Sequence, residues 1–309
     1  MKKIYHYTSA SSLIGMLTQS QFWATDIAFL NDHKEHVHGY TAALAFIDHK
    51  IDTMVDPYKE ELIGFYKTLR EYIEPNVLGR DTYVVSFAKD RDSVSHWFSY
   101  CEKNQGYCIG FDEDSFFHPS EKLEIATKYA LKFEGVLYES SSFNDRLEKI
   151  LSKDVILETI TRGMVAGAYG SGQKKGNSKS QILDEIMDEY HALGPMKQLE
   201  TIFNEIVFSC GAYKFEGFKH EVERRLVLSS KKDRLHEHYD YKESDVKFRE
   251  RNGVVFPYVP VKFNRNSIRE IIIGPSGDFE LRRAGLQKML DKMGVVCEVA
   301  SSSTPLRFS

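Results

Sequence analysis

The sequence predicts an α+β protein built on a mixed, mostly antiparallel sheet with a helical insertion, and three observations carry that expectation. Short β-branched and aromatic runs recur towards both ends of the chain, as in Tyr83-Val84-Val85-Ser86-Phe87 and Glu270-Ile271-Ile272-Ile273. Apolar residues at three- and four-residue spacing fill the middle, from about Phe143 to Phe208. Arg269–Gly274, Glu280–Met293 and Val295–Val299 follow one another as strand, helix and strand, the order of a crossover unit.

The elements follow in order. Tyr5 to Ser9 reads as a short strand, and Ala10 to Gln19 as a helix with Leu13, Ile14, Met16 and Leu17 on its apolar side and Ser11 or Ser12 placed to cap it. Phe22–Thr25 is an aromatic strand. Helical spacing returns from Asp32 to about Lys50 and from Pro57 to about Ile73. After the strand Tyr83–Phe87 comes a polar turn, a short helix with Trp97 and Tyr100, and a glycine-flanked strand, Gly106–Phe111. Leu131–Tyr138 reads as a strand. Helices over Phe143–Ala166, Ser180–Tyr190 and Met196–Phe208 surround the linker-like Gly170–Ser178, which lacks the Gly-Lys-Ser/Thr ending of a phosphate loop. Strands resume from Phe218, where Val222, Leu226 and Leu228 alternate with Glu221, Glu223 and Arg225. Pro257 and Pro260 assign Val254–Val261 to a sheet edge. The expected organisation is one domain over 1–309, interrupted by the insertion at 143–208 and closed by the strand-helix-strand unit of 269–309.

Composition narrows the function. The 41 basic and 45 acidic side chains of these 309 residues give a net charge of −4, which argues against broad, non-specific nucleic-acid binding. Cys101, Cys108, Cys210 and Cys297 lack paired metal spacing, so reduced thiols and a cytoplasmic location are expected. No apolar run reaches the length of a membrane span, and no signal-peptide apolar region follows Met1-Lys2-Lys3.

The residues with chemistry gather at predicted strand ends: His6, Tyr7 and Thr8 on the first, Ser86 and Phe87 on another, and Glu221, Glu223 and Arg225 on a third. A glutamate beside an arginine stays ionised, and an ionised carboxylate can stabilise a developing cation. Arg225 or Arg249 could pair with Glu221 or Glu250.

Read together, Tyr5-His-Tyr-Thr8, Phe22-Trp-Ala-Thr25, Leu30-Asn-Asp-His-Lys-Glu35, Ser86-Phe87, Trp97-Phe-Ser-Tyr100, Gly106-Tyr-Cys-Ile-Gly-Phe111, Phe218–Leu226 and Glu270–Pro275 resemble the bacterial family DUF2971, of unknown function. Its pattern runs His-Tyr-Thr, Asn-Asp-x-x-Glu, Ser-Phe-Ser, a Trp-Tyr-Gly-Gly-Phe stretch, Glu-x-Glu-Trp-Arg and Ile-Gly-Pro. Here Ala88 replaces the usual last serine and Arg224 the usual tryptophan. Arg224, on an apolar face, must snorkel or find a partner.

The opening histidine, helix and aromatic strand are in turn similar to the start of the ADP-ribosyltransferase fold, especially DarT-like toxins. That resemblance implies a split sheet and a glycosyltransferase-class reaction in which NAD donates ADP-ribose to a macromolecular acceptor, nucleic acid or protein, in a toxin or antiviral defence role. It implies catalytic roles for Glu223, Glu221 and His6. It places NAD against His6, Tyr7, Thr8, Trp23, Asn31, Ser86, Phe87, Trp97, Tyr100 and Arg225, with Arg225 or Arg249 free to meet its pyrophosphate and with no metal.

Two other readings remain. Asp32-His33-Lys34-Glu35-His36-Val37-His38 offers five metal-ligating side chains, as a metal-dependent nuclease or hydrolase would need, although no His-Glu-x-x-His pattern is present. The same residues also suit a solvated helix start capped by Asn31 or Asp32. A non-catalytic nucleotide-binding module would use the same cleft without needing Glu223.

Overall fold

A computed structural model describes residues 2–30, 35–74, 82–101, 105–170, 198–230, 245–251, 253–275 and 277–304. The chain divides into two compact units: Met1–Glu35, Asp81–Tyr138 and Lys214–Ser309 form the first, and His36–Arg80 with Glu139–Tyr213 the second. The expected helix over Ser180–Tyr190, the Gly170–Ser178 linker beyond Gly170, and Asn31 to Lys34 lie outside the described residues.

The first unit holds the sheet. Strand β1 (Lys3–Thr8) leads into helix α1 (Ala10–Gln19), which is capped by Ser9 rather than by Ser11 or Ser12, the Ser9 hydroxyl accepting the Ser12 amide at 3.2 Å. Then come β2 (Gln21–Asp26), β3 (Thr82–Ala88), α4 (Val94–Tyr100), β4 (Tyr107–Asp112), α5 (Pro119–Ala126) and β5 (Tyr129–Gly135). A 3₁₀ turn, Glu216–Glu221, precedes β6 (Glu223–Ser230), β7 (Lys247–Arg251) and β8 (Val254–Lys262). Last come β9 (Ile268–Ile273), α9 (Phe279–Met293) and β10 (Glu298–Ser301). Helices α2 (Glu35–Thr53) and α3 (Lys59–Ile73) fall between β2 and β3.

The sheet is mixed and mostly antiparallel, as the sequence led one to expect; among the described strands only β9 and β10 pair in parallel. It branches at β3. One side of that strand pairs along its whole length with β6, from Thr82↔Ser229 to Ala88↔Glu223, and β5 lies beyond β6. The other side is shared: β2 takes its start (Thr25↔Val84, Asp26↔Tyr83) and β1 its end (Tyr5↔Ala88). The sheet continues from β1 through β4 and β9 to β10, and from β2 through β8 to β7.

The edge placement of β8 needs correcting. That strand lies between β2 and β7; Val254–Pro257 pair with β7 (Pro257 opposite Phe248), Val259–Lys262 with β2 (Pro260 opposite Trp23), and Tyr258 with both. Each proline therefore sits beside one open side of the ladder, where a missing N–H costs least. Strand β7, with its alternating charges, is the strand beyond it, and the sequence reading did not find it.

Alternation sorts the side chains onto two faces. Ile4, Phe22, Tyr83, Val85, Phe87, Phe111, Leu226 and Leu228 belong to the main core, where Phe22 packs against Phe87 at 5.3 Å and Phe116 against Phe87 at 5.7 Å between ring centroids. Tyr5, Tyr7, Ala88, Trp97, Cys101, Cys108 and Ile272 form a smaller cluster on the opposite face, under α4. Arg224 finds its partner: its guanidinium pairs with Glu113 and lies over the Phe133 ring at 5.9 Å. Cys101, Cys108, Cys210 and Cys297 are free thiols. Among the described residues no helix is long and apolar enough to cross a membrane.

The second unit is helical, with α2 and α3 joined by α6 (Ser140–Ile150), α7 (Lys153–Gly170) and a helix α8 over 198–211. Two helices meet closely at Gly39, where a Cβ would overlap the Cys210 carbonyl and lie 2.8 Å from its Cα. Phe143 and His38 stack on Tyr213 at 4.4 and 4.9 Å, and Lys153 pairs with Asp56 at 2.7 Å.

Candidate functional site

The site is built where β1 and β2 part along β3. Between the Val84 and Ala88 pairings, the Ser86 carbonyl faces the gap, and the His6 ring fills it. His6 Nδ1 lies 3.0 Å from that carbonyl, so Nδ1 carries the hydrogen and donates it. The ring packs edge-on against Phe22 at 5.0 Å and Phe87 at 5.8 Å. Burial, with a contribution from the Arg249 charge, lowers the imidazole from 6.5 to about 4 although the Ser86 bond opposes it. His6 is thus neutral at pH 7, and its Nε2 keeps a lone pair.

The Ser86 hydroxyl donates to Glu223, so His6 and Glu223 meet on one residue, the first through its carbonyl and the second through its side chain. They do not share a face. His6 alternates with the β1 residues of the small cluster and lies with the main core, whereas Glu223 alternates with Arg224 and Leu226 and lies opposite.

Glu223 heads a buried ion network. Arg225 grips it with two hydrogen bonds, Nε to Oε1 at 2.9 Å and Nη2 to Oε2 at 3.0 Å. Lys214 Nζ bridges Glu223 Oε2 at 3.1 Å and Glu221 Oε2 at 2.7 Å. The Tyr100 hydroxyl donates to Glu221 Oε1 at 2.9 Å, and the Tyr138 hydroxyl accepts the Glu223 amide at 2.9 Å. Arg225 is 1% and Glu223 5% exposed, whereas Tyr100 at 36% reaches solvent. Burial alone would raise Glu223, but the Arg225 and Lys214 charges and the Arg225 and Ser86 hydrogen bonds prevail and bring it to about 2. Burial, reinforced by Glu221 and Glu223, pushes the Tyr100 phenol well up, so it remains a donor.

His96, one helical turn before Tyr100, belongs to the same neighbourhood. Its ring stacks on Tyr7 at 4.8 Å, and its Nδ1 lies 2.9 Å from the Ser93 hydroxyl. Burial lowers its pKa, while Glu221, Glu223 and Asp90 pull the other way.

Val222, between the two glutamates, has φ 44° and ψ 51°, the left-handed region where a β-branched residue is an outlier. Here the alternation expected from Val222 onward fails: Glu216–Glu221 is a 3₁₀ turn, and the strand begins at Glu223. Asparagine tolerates this conformation and Val222 is 40% exposed, so Val222→Asn is expected to stabilise the protein by ~1 kcal/mol in urea denaturation. A loss of stability would show that the valine side chain contributes more than its backbone costs.

The other expected ligand contacts fare differently. Phe87 and Trp97 are fully packed, the indole Nε1 donating to Asp92 at 2.7 Å, so neither offers a face for stacking. Tyr7 and Thr8 are buried as well: the Tyr7 hydroxyl donates to the Asp90 carbonyl and accepts the Ser93 amide, and the Thr8 carbonyl faces the Cys101 thiol. Central strands bury their aromatics on both faces, which strand-end reasoning overlooked. Arg225 is turned onto Glu223 rather than towards an open surface that a pyrophosphate could reach. Arg249 lies over the half-buried Trp23 ring at 5.4 Å and donates to Thr25 at 2.8 Å. Asn31 lies outside the described residues, as do Asp32 and His33 of the metal reading; among the described residues no three His, Cys, Asp or Glu side chains are grouped to hold a metal.

Lys214, His96 and Tyr138 were missed. The i, i+4 spacing of His96 and Tyr100 could have revealed the histidine, but a lone lysine and a lone tyrosine carry no signal until the chain folds.

Fold and site together define an α+β protein whose branched sheet carries a buried Lys-Glu-Glu-Arg network beside a neutral histidine. The model of DUF2971, a family described as a protein of unknown function, matches residues 96–226, from His96 on α4 to Leu226 on β6. The resemblance read from the motifs is borne out over that span; His6 and Ser86 lie outside it. No curated protein and no solved structure matches the chain.

Proposed function

We propose that the protein is an NAD-dependent ADP-ribosyltransferase-like enzyme that modifies a macromolecule, nucleic acid or protein, and that it serves as a toxin or phage-defence effector. The observation that carries this reading is the meeting of His6 and Glu223 on Ser86, at the point where β1 and β2 part along β3. A nucleotide contacting both residues would lie where β1 and β2 part, beside the His6 ring that occupies the gap, because the two side chains belong to opposite faces. Breaking the bond between nicotinamide and ribose builds positive charge on the sugar, which a fixed carboxylate stabilises. Glu223 is held by both Arg225 and Lys214, whereas Glu221 has Lys214 and the solvent-reaching Tyr100, so Glu221 is the carboxylate better placed to meet the substrate. Neutral His6 would accept a ribose hydroxyl at Nε2.

That same pairing of Glu223 favours a second reading, a nucleotide-binding module without chemistry. Nicotinamide release from NAD, with and without nucleic acid or cell extract, separates the two. Under the first reading Glu221→Gln and His6→Ala each lower the rate by about 10²–10³. Tight NAD binding without release would establish the module, and no binding with no release would overturn both. Loss of activity on adding a chelator would instead support the metal-dependent hydrolase.

A further inference from the structure

Asp92, in the turn between β3 and α4, is far from the glutamate network in bonding terms, yet it collects an unusual number of donors. Trp97 Nε1 reaches Oδ1 at 2.7 Å from within α4. All the others come from the C-terminal end of the described chain. The Ser303 amide and hydroxyl donate to Oδ2 at 2.6 and 2.7 Å, and the Ser302 hydroxyl and Thr304 hydroxyl donate to Oδ1 at 2.5 and 3.1 Å. The Ser302 amide, beyond the end of β10, donates to the Ile273 carbonyl at 2.8 Å and so ties this segment to β9. Burial would raise the Asp92 carboxyl, but these donors hold it below the usual carboxylate range.

The same turn fixes the start of α4 in a second way. Asp90 and Ser93 are clasped by the Tyr7 hydroxyl, the Ser93 carbonyl accepts the Trp97 amide at 3.1 Å, and the Ser93 hydroxyl meets His96. Helix α4 is only seven residues long and carries Tyr100, which donates to Glu221, and His96, whose ring feels the Glu221 charge. So short a helix has little stability of its own and takes its position from what holds its ends.

We propose that Ser302-Ser303-Thr304 is a C-terminal latch: its hydroxyls, gathered on Asp92, hold α4 and therefore His96 and Tyr100 in place, and withdrawing them or placing negative charge at Ser303 releases the helix. The hydroxyls are the operative groups, since a carboxylate with several charge-assisted donors loses most when those donors are removed or reversed in sign. The latch stands whether or not the protein acts on NAD, because it is a statement about α4 alone.

Amide hydrogen exchange on the full chain tests it. In a Ser302→Ala, Ser303→Ala, Thr304→Val variant, and in Ser303→Glu, the amides of residues 97–100 should exchange about tenfold or more faster than in the wild type, while those of β3 and β6 keep their rates. Ser303→Thr, which keeps a hydroxyl at this position, should exchange like the wild type. Unchanged rates at 97–100 in both disrupted variants would overturn the proposal. So would equal acceleration in α4 and β3, which would mark the segment as general stabilisation rather than a latch.

Discussion

Arg225→Met is expected to destabilise the protein by ~3–5 kcal/mol, because it strands the Glu223 carboxylate in a buried position with only Lys214 and Ser86 to compensate it. The guanidinium makes both hydrogen bonds to that carboxylate from 1% exposure, so no water replaces it without opening the sheet. Urea denaturation of the single variant and of Arg225→Met combined with Glu223→Gln distinguishes a stranded charge from lost packing. The double variant should recover a large part of the loss. If it is no more stable than the single one, the cost belongs to the missing volume of the arginine.

Stability should also fall between pH 6.5 and 4 through His6, and further towards pH 2 through Glu223. His6 is lowered from 6.5 to about 4 in the folded chain, so across that interval the unfolded chain takes a proton that the folded one refuses. Glu223 is lowered from 4.5 to about 2; its stabilisation is complete above 4.5 and is lost as the pH falls towards 2. A displacement of either size corresponds to roughly 3 kcal/mol. His6→Asn keeps a donor for the Ser86 carbonyl but does not titrate. Its urea midpoint should therefore change less than the wild type's between pH 6.5 and 4, and parallel curves would show that His6 is protonated in the folded protein.

Much of the fold was legible because it is written in local patterns. The apolar spacing of Leu13, Met16 and Leu17 sets α1, and the β-branched and aromatic run Tyr83–Phe87 sets β3. Glu298–Ser301 returns parallel to β9 after one helix, as its crossover order indicates. What escaped was non-local or exceptional. Strand β7 reads as a charged loop until β8 pairs with it, and Val222 adopts a backbone that its residue type disfavours. At the site, Glu221, Glu223 and Tyr100 were read from motifs and do meet, and Ser86 joins Glu223 to His6 on the opposite face. Trp97, Phe87, Tyr7 and Thr8 were read from the same motifs and are core, since a motif does not record which face a residue takes. Lys214, which joins the two glutamates, has no local signature.

The branching of the sheet at β3 has a consequence for how the protein forms. That strand finds partners at Tyr5, at Thr25 and Asp26, and along Glu223–Ser229, while the helical unit intervenes twice in the chain between them. Loop closure must therefore precede most of its hydrogen bonding, which places this protein among slow, topology-limited folders. On a ribosome the first 100 or so residues emerge with β3 lacking its longest ladder, leaving an open apolar edge until β6 arrives. The buried Arg225–Glu223 pair arrives on that strand, so the ionic centre of the candidate site forms together with the longest ladder of β3.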